Sequence, residues 1–267
     1  MAAKQSGEDQ QEIAHPARVY NYLLGETEAR AADRKVGEQM IAVKPDLRPN
    51  VQANRGFLIR AVRYLAESGV TQFLDIGTGI PTRTPALLNT HQVAQRVNPA
   101  ARIVCVDNDP VVLAHARALL ASTSQGAVEA VEADLRQPAD ILARSAQVLD
   151  FSQPVAVLLL GILMYLPDDT QPHEIVRQLV AGLAPGSYLA ISHTASDVHA
   201  QEAARGAARY QAGVGIEMTN RTREQVTRFF DGLQLLPPGV VAADQWRPAR
   251  PAGRQLSNWA GLAIKPP

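Results

Sequence analysis

A chain of 267 residues with 46% apolar and 19% charged side chains can bury a full core and has an ordinary globular composition. Its 26 basic and 26 acidic side chains cancel, which argues against nucleic acid or an anionic membrane as the main partner, since both require a net basic face. The single cysteine, Cys105, excludes an internal disulfide framework, and the longest apolar run, 155–164, is too short to span a bilayer.

In chain order, residues 1–12 are polar, without the apolar centre of a signal peptide, and read as a disordered tail on a cytoplasmic protein. Helical patterns follow over 16–24, 33–43 and 51–67, separated by Gly25 and by the proline-bounded stretch 45–49. In the third, Phe57, Ala61, Val62 and Leu65 share an apolar face, and Gly69 is a suitable stop. From Thr71 short apolar strands alternate with helices: strands over 72–76, 102–106, 128–132, 155–162 and 187–192, and helices over 85–97, 110–121, 138–146 and 171–183. This alternation predicts parallel βαβ units with both sheet faces covered. Helices over 198–211 and 222–231 come next, then weaker strands over 239–243 and 258–264 around a proline-rich loop at 247–253.

Three strand ends carry the chemistry. In Phe73-Leu-Asp-Ile-Gly-Thr-Gly-Ile-Pro81 an acidic residue closes the first strand, and Gly77 and Gly79 allow a tight turn and close approach of a ligand. A bare strand-to-helix turn is the plainer reading. The dinucleotide fingerprint has glycine where Thr82 stands, which weakens a nicotinamide assignment. In Val106-Asp-Asn-Asp-Pro110, Asp109 suits the N-cap of a helix begun by proline, which leaves Asp107 free to accept two ribose hydroxyls. In Glu132-Ala-Asp-Leu-Arg136, Asp134 can accept from an adenine amino group beside Leu135, or simply cap its turn.

Those three sites resemble the S-adenosylmethionine-dependent methyltransferases of the Rossmann-like class. More closely, the chain resembles a family of actinobacterial S-adenosyl methyltransferases, through His15-Pro-Ala-Arg-Val-Tyr-Asn-Tyr-Leu-Leu-Gly25, Ala32-Asp-Arg34, Asn54-Arg-Gly-Phe-Leu58, Phe73 through Thr82, Val106 through His115, Ala133-Asp-Leu-Arg136, Pro185 through His193 and Arg228 through Leu233. The resemblance implies an α/β fold: a seven-stranded, mostly parallel sheet with helices on both faces and an antiparallel last strand. A helical cap over 13–68 would cover a cofactor-binding domain over 69–267. It implies S-adenosylmethionine as cofactor, held by Asp75, Gly77, Thr78, Gly79, Asp107, Asn108, Asp134, Leu135 and Gly161. The methyl acceptor would be a small molecule, with specialised metabolites the candidate class and nitrogen, oxygen or carbon the methylated atom. A cofactor-binding protein without transfer activity is the alternative, and a homodimer is the candidate assembly.

Two segments depart from relatives, Gly25-Glu-Thr-Glu-Ala-Arg30 and Leu163-Met-Tyr165, both expected beside the pocket. Arg18, Tyr20, Asn21 and Tyr22 could form a lid over a sulfonium, whose charge aromatic faces attract, or the tyrosines could serve helix packing. Arg55 could reach the methionine carboxylate or make a surface salt bridge. His193, at the end of the fifth strand, is the candidate general base or else a polar wall of the acceptor pocket, which Tyr165 also borders. The histidine spacing matches no metal site.

Overall fold

Strands and helices alternate as the apolar pattern requires in a computed structural model that describes residues 13–248 and 255–267. The expected tail over 1–12 and most of the loop expected over 247–253 lie outside the described residues. The helices are α1 Pro16–Leu24, α2 Ala31–Val43, α3 Leu47–Glu67, α4 Thr90–Val97, α5 Pro110–Leu119, α6 Pro138–Ser145, α7 Pro172–Ala181, α8 Ala200–Val214 and α9 Arg223–Thr227. The strands are β1 Gln72–Ile76, β2 Arg102–Asp107, β3 Ala127–Glu132, β4 Ala156–Leu160, β5 Tyr188–Thr194, β6 Gln234–Leu235, β7 Val241–Ala242 and β8 Asn258–Ile264.

The eight strands form one sheet in the order β3-β2-β1-β4-β5-β8-β6, with β7 also paired to β8. The pairs from β3 to β5 are parallel, and β8 runs antiparallel to β5. The short β6 and β7 both pair with the outer edge of β8. They divide a single seventh position between them, so the seven-position arrangement holds with one interrupted strand. β6 is too short to carry a period-2 pattern, and its sequence gave no strand signal. Side chains alternate across the sheet: Leu74 and Ile76 join the core under α6, α7 and α9, while Phe73 joins the opposite core with α3 and α4.

Two helix starts differ from expectation. α3 begins at Leu47 and carries Pro49 in its first turn, where a backbone N–H would have no intrahelical partner. α4 begins only at Thr90, because Asn89 and Gln92 form a reciprocal capping box and leave residues 81–89 as a loop.

The cap is broader than residues 13–68. Its core joins Val19 and Leu23 of α1, Val36 and Met40 of α2 and Leu47 and Val51 of α3 to Tyr210 and Val214 of α8. The later turns of α3, with Phe57, Ala61, Val62 and Leu65, belong to the sheet core. Residue 68 therefore does not separate two cores. Among the described residues, no helix is long and apolar enough to cross a membrane.

Candidate cofactor and acceptor site

A cavity of about 450 Å³ opens at the carboxyl ends of β1, β2, β3 and β4, beside the β1/β4 switch of strand order, under α1. In a parallel sheet that crevice is where ligands sit. Gly77, Thr78 and Gly79 form its rim, and the Gly77 and Thr78 N–H groups bond to the carbonyl of Val106 at 2.8 and 3.2 Å. Both glycines have left-handed backbone, φ +73° and +64°. A Cβ on Gly77 would lie 2.6 Å from Ile162 Cγ1, so this glycine makes room for a neighbouring side chain. A Cβ on Gly79 would meet nothing within 4 Å.

The acids at the three strand ends all line the cavity. Asp75 accepts from the hydroxyls of Thr90 at 2.6 Å and Thr78 at 3.4 Å. Burial pushes its carboxyl up, against those bonds and the positive charge of Arg55. Asp107 accepts from the N–H groups of Gly79 and Asp109, both at 3.1 Å, and burial pushes it up as well. It thus ties the glycine rim to the end of β2. Asp109 is the α5 N-cap, accepting from Val111 N at 2.7 Å. Asp134 closes its own turn by accepting from Arg136 N at 2.8 Å, and the Arg136 side chain and Asn108 hold its carboxyl below the usual range. The capping reading of Asp134 is therefore part of its role, and Leu135 is the apolar wall beside it. Gly161, φ +68°, completes the floor at the end of β4.

From α1, Ala17, Tyr20, Asn21 and Leu24 face the cavity, the spacing of one helix face. Arg18 and Tyr22 occupy another face and do not line it. Arg18 bonds to Asp33 at 2.8 Å, while Tyr22 lies under Arg48 and bonds to Glu38. Tyr22, expected at the cofactor, therefore does not reach the cavity, whereas Tyr20 and Asn21 do. Arg55 is buried in the cavity wall rather than salt-bridged at the surface. Its Nη2 donates to Thr82 Oγ1, Leu87 O and Asn89 Oδ1, all neutral, and its buried Nε has no partner among the described residues.

His193 does not reach the cavity. It is fully buried behind the wall, with Nδ1 2.9 Å from the carbonyl of Thr194 and Nε2 3.0 Å from Arg221 Nη1. An arginine can only donate, so Nε2 is the acceptor and Nδ1 carries the proton. Burial and Arg221 bring the imidazole down to about 4. With both nitrogens used and no access to the cavity, His193 is not the general base expected from its strand-end position. Tyr165 does line the cavity, in the 3-10 turn Leu163–Tyr165 that Arg221 secures through the carbonyls of Leu163 and Leu166.

Sequence reasoning missed the work of His15 and Glu26. His15 Nε2 bonds to Asp109 Oδ2 at 2.7 Å, latching the start of α1 to the loop after β2. Glu26, in the divergent segment, accepts from the N–H groups of Arg83 and Thr84 and fixes the loop after β1. Neither contact has a signal in sequence spacing, since each bridges distant segments. Asp33 accounts for the Ala32-Asp-Arg34 motif: it accepts from the N–H groups of His15 and Arg30 as well as from Arg18. His15→Ala is expected to weaken binding of S-adenosylhomocysteine about fivefold, the roughly 1 kcal/mol of one partly exposed hydrogen bond. Calorimetry with an unchanged Kd would show that the latch does not bear on the ligand. Among the described residues, no group of three or more His, Cys, Asp or Glu side chains is placed to hold a metal ion.

Comparison with known proteins adds a family. A family profile described as S-adenosyl methyltransferase matches residues 2–266. A solved structure of a DUF574 family protein from Streptomyces avermitilis MA-4680 is 40% identical, covers 96% of this chain and 98% of its own, and superposes with a TM-score of 0.90. A second, from Thermobifida fusca YX, is 38% identical, covers 97% of both chains and has a TM-score of 0.87. A carboxy-S-adenosyl-L-methionine synthase of Citrifermentans bemidjiense is 27% identical over 165 residues, 60% of this chain and 61% of that protein.

Proposed function

The chain belongs to the S-adenosyl methyltransferase family, whose cofactor is S-adenosylmethionine, and from that premise we propose that it transfers the cofactor's methyl group to a nucleophilic nitrogen, oxygen or carbon atom of a small molecule. The observation that carries this reading is one cavity that gathers the acidic ends of three consecutive strands and the two left-handed glycines under a helical cap. Its volume is within the range of small-ligand sites. Its wall also carries the polar side chains of Arg55, Asn21 and His15, which suit a polar, zwitterionic ligand.

Asp107 would hold the ribose and Asp134 with Leu135 the adenine. Asp75, Gly77, Thr78, Gly79 and Gly161 would frame the methionine portion, with Arg55 its carboxylate. When bound, the cofactor supplies an activated methyl group on a cationic sulfur, already a good leaving group. The protein's share is therefore alignment and exclusion of water. Tyr20, Asn21 and Leu24 of the cap and Tyr165 border the end of the cavity left for the acceptor, for which a specialised metabolite is the candidate class. We keep the cytoplasm as its compartment, consistent with the unpaired, buried Cys105.

Asp107→Ala is expected to weaken S-adenosylhomocysteine binding by about 1.5–3 kcal/mol, the scale of hydrogen bonds to a charged group, with the melting curve still cooperative. Calorimetry finding full affinity in this variant would remove Asp107 from the ribose role.

A further inference from the structure

Two phenols line the cavity, Tyr20 on α1 and Tyr165 after β4. Their hydrogen bonds leave a proton on each for the cavity. Ser192 Oγ donates to Asn54 Oδ1, so the Asn54 amide turns its Nδ2 to Tyr20 and donates to that hydroxyl at 2.9 Å. The Tyr20 oxygen is an acceptor there, and its own proton is left for the cavity. Tyr165 stacks on Tyr210, with the two hydroxyls 3.0 Å apart. Tyr210 is buried and has no other hydrogen-bond partner among the described residues, so donation from Tyr210 to Tyr165 is the arrangement that satisfies its proton. In that arrangement the Tyr165 proton is free as well. Burial raises both phenols above their usual range, and each opposes ionisation of a near neighbour, so both remain donors at neutral pH.

Among the described residues, neither phenol has a carboxylate or an imidazole as a hydrogen-bond partner. His193 is outside the cavity with both nitrogens engaged, and His15 is bonded to Asp109 at the end of β2. Asp75 takes the hydroxyls of Thr90 and Thr78 on Oδ2 at the end of β1. Among the described residues, the cation whose charge reaches Tyr20 is Arg55.

We propose that Tyr20 and Tyr165 are a donor pair that selects an acceptor presenting an already ionised oxygen, the phenolate or enolate of an acidic hydroxyl. This rests on the methyltransferase reading above and narrows it to O-methylation. Two O–H donors in one cavity wall suit an oxyanion, whereas a neutral alcohol or an ammonium group would need a base beside the phenols, and neither phenol has a carboxylate or an imidazole among its hydrogen-bond partners. The balance is simple: the oxygen bonds to the methyl carbon as the carbon–sulfur bond breaks, the electron pair stays on sulfur, and no proton has to leave.

The test is spectroscopic and needs no turnover. Protein saturated with S-adenosylhomocysteine is titrated with 4-nitrophenol, whose absorbance reports its ionisation, at a pH below the probe's own pKa. The bound probe is expected to absorb as the phenolate. Tyr20→Phe and Tyr165→Phe should each weaken its binding about tenfold, the scale of one hydrogen bond to a charged oxygen, and 4-nitroanisole, which cannot ionise, should bind about tenfold more weakly than the phenol. Melting curves check that both variants fold. A probe that binds as the neutral phenol, binds no better than its ether, fails to bind or ignores both substitutions overturns the proposal. Failure of S-adenosylhomocysteine itself to bind would instead remove the methyltransferase reading, so the two failures are distinguishable.

Discussion

Gly77→Ala is expected to abolish detectable binding of S-adenosylhomocysteine, although the new methyl group would not touch the ligand. Two costs act together. The backbone at Gly77 is left-handed, φ +73°, which costs a residue with a Cβ roughly 1–2 kcal/mol. The added Cβ would also stand 2.6 Å from Cγ1 and 2.7 Å from Cδ1 of Ile162, an overpacking of about 1–3 kcal/mol. Ile162 lines the cavity, so relief of that clash pushes it into the ligand's space. Gly79→Ala carries the backbone strain without the clash. It should lose stability by about 1 kcal/mol, leaving any further loss of affinity to the ligand itself. The pairing Gly77→Ala with Ile162→Ala should recover part of the affinity. A single Gly77→Ala variant that binds normally in calorimetry would show the rim to be more yielding than its geometry.

Arg221→Leu is expected to be the most destabilising single change at any charged residue, about 3–5 kcal/mol, lowering Tm by on the order of 10 °C. The guanidinium is fully buried and bonds to the carbonyls of Leu163 and Leu166 and to His193 Nε2, besides the carboxylate of Asp168. Its loss strands two carbonyls and a ring nitrogen inside the protein. Asp168→Ala is the control. That carboxylate is 67% exposed, so removing it should cost little, as solvent-exposed ion pairs do. Equal losses from the two variants would mean that the ion pair, not the buried carbonyls, sets the effect. Because the Leu163–Tyr165 turn hangs from Arg221, a variant that survives should lose affinity for acceptor-like phenols before it loses S-adenosylhomocysteine.

Two buried histidines give a pH dependence. His193 and His91 are held near 4 by burial, below the ordinary histidine value of 6.5. The unfolded chain takes up protons between those values and the folded one does not, so stability is full above about pH 6.5 and falls toward about pH 4. Chemical denaturation at a series of pH values reads this directly. A flat profile across that window would mean that both imidazoles ionise in place.

The strand-end acids were legible because each follows an apolar strand and precedes a glycine or proline, a local pattern that reads without tertiary knowledge. β8 was legible for the same reason: its seven residues carry the apolar pattern to the end of the strand. His193 was misread because a strand-end position says nothing about which side of the wall a side chain occupies. Its place depends on Arg221, twenty-eight residues later, whose bonds to Leu163 and Leu166 no periodicity reveals. Tyr22 was misread through helix phase. Tyr20 and Tyr22 are two residues apart and so cannot share a face, and only the packing of α1 on α2 decides which one turns inward. Pro49 concealed the start of α3, because a proline in a first helical turn and one in a separating loop look alike in sequence.

The span of α3 across two cores sets rules for recombination between relatives. A chimera cut after residue 68, at what the sequence offers as a domain boundary, carries over a helix whose later turns were shaped by a different sheet: Phe57, Leu65 and Trp246 pack in one cluster. It also leaves behind α8, whose Tyr210 and Val214 complete the cap. A clean exchange of the cap therefore moves residues 13–54 and 200–214 as a set and keeps the rest of α3 with its own sheet. The cap is inherited as a unit that is discontinuous in the chain.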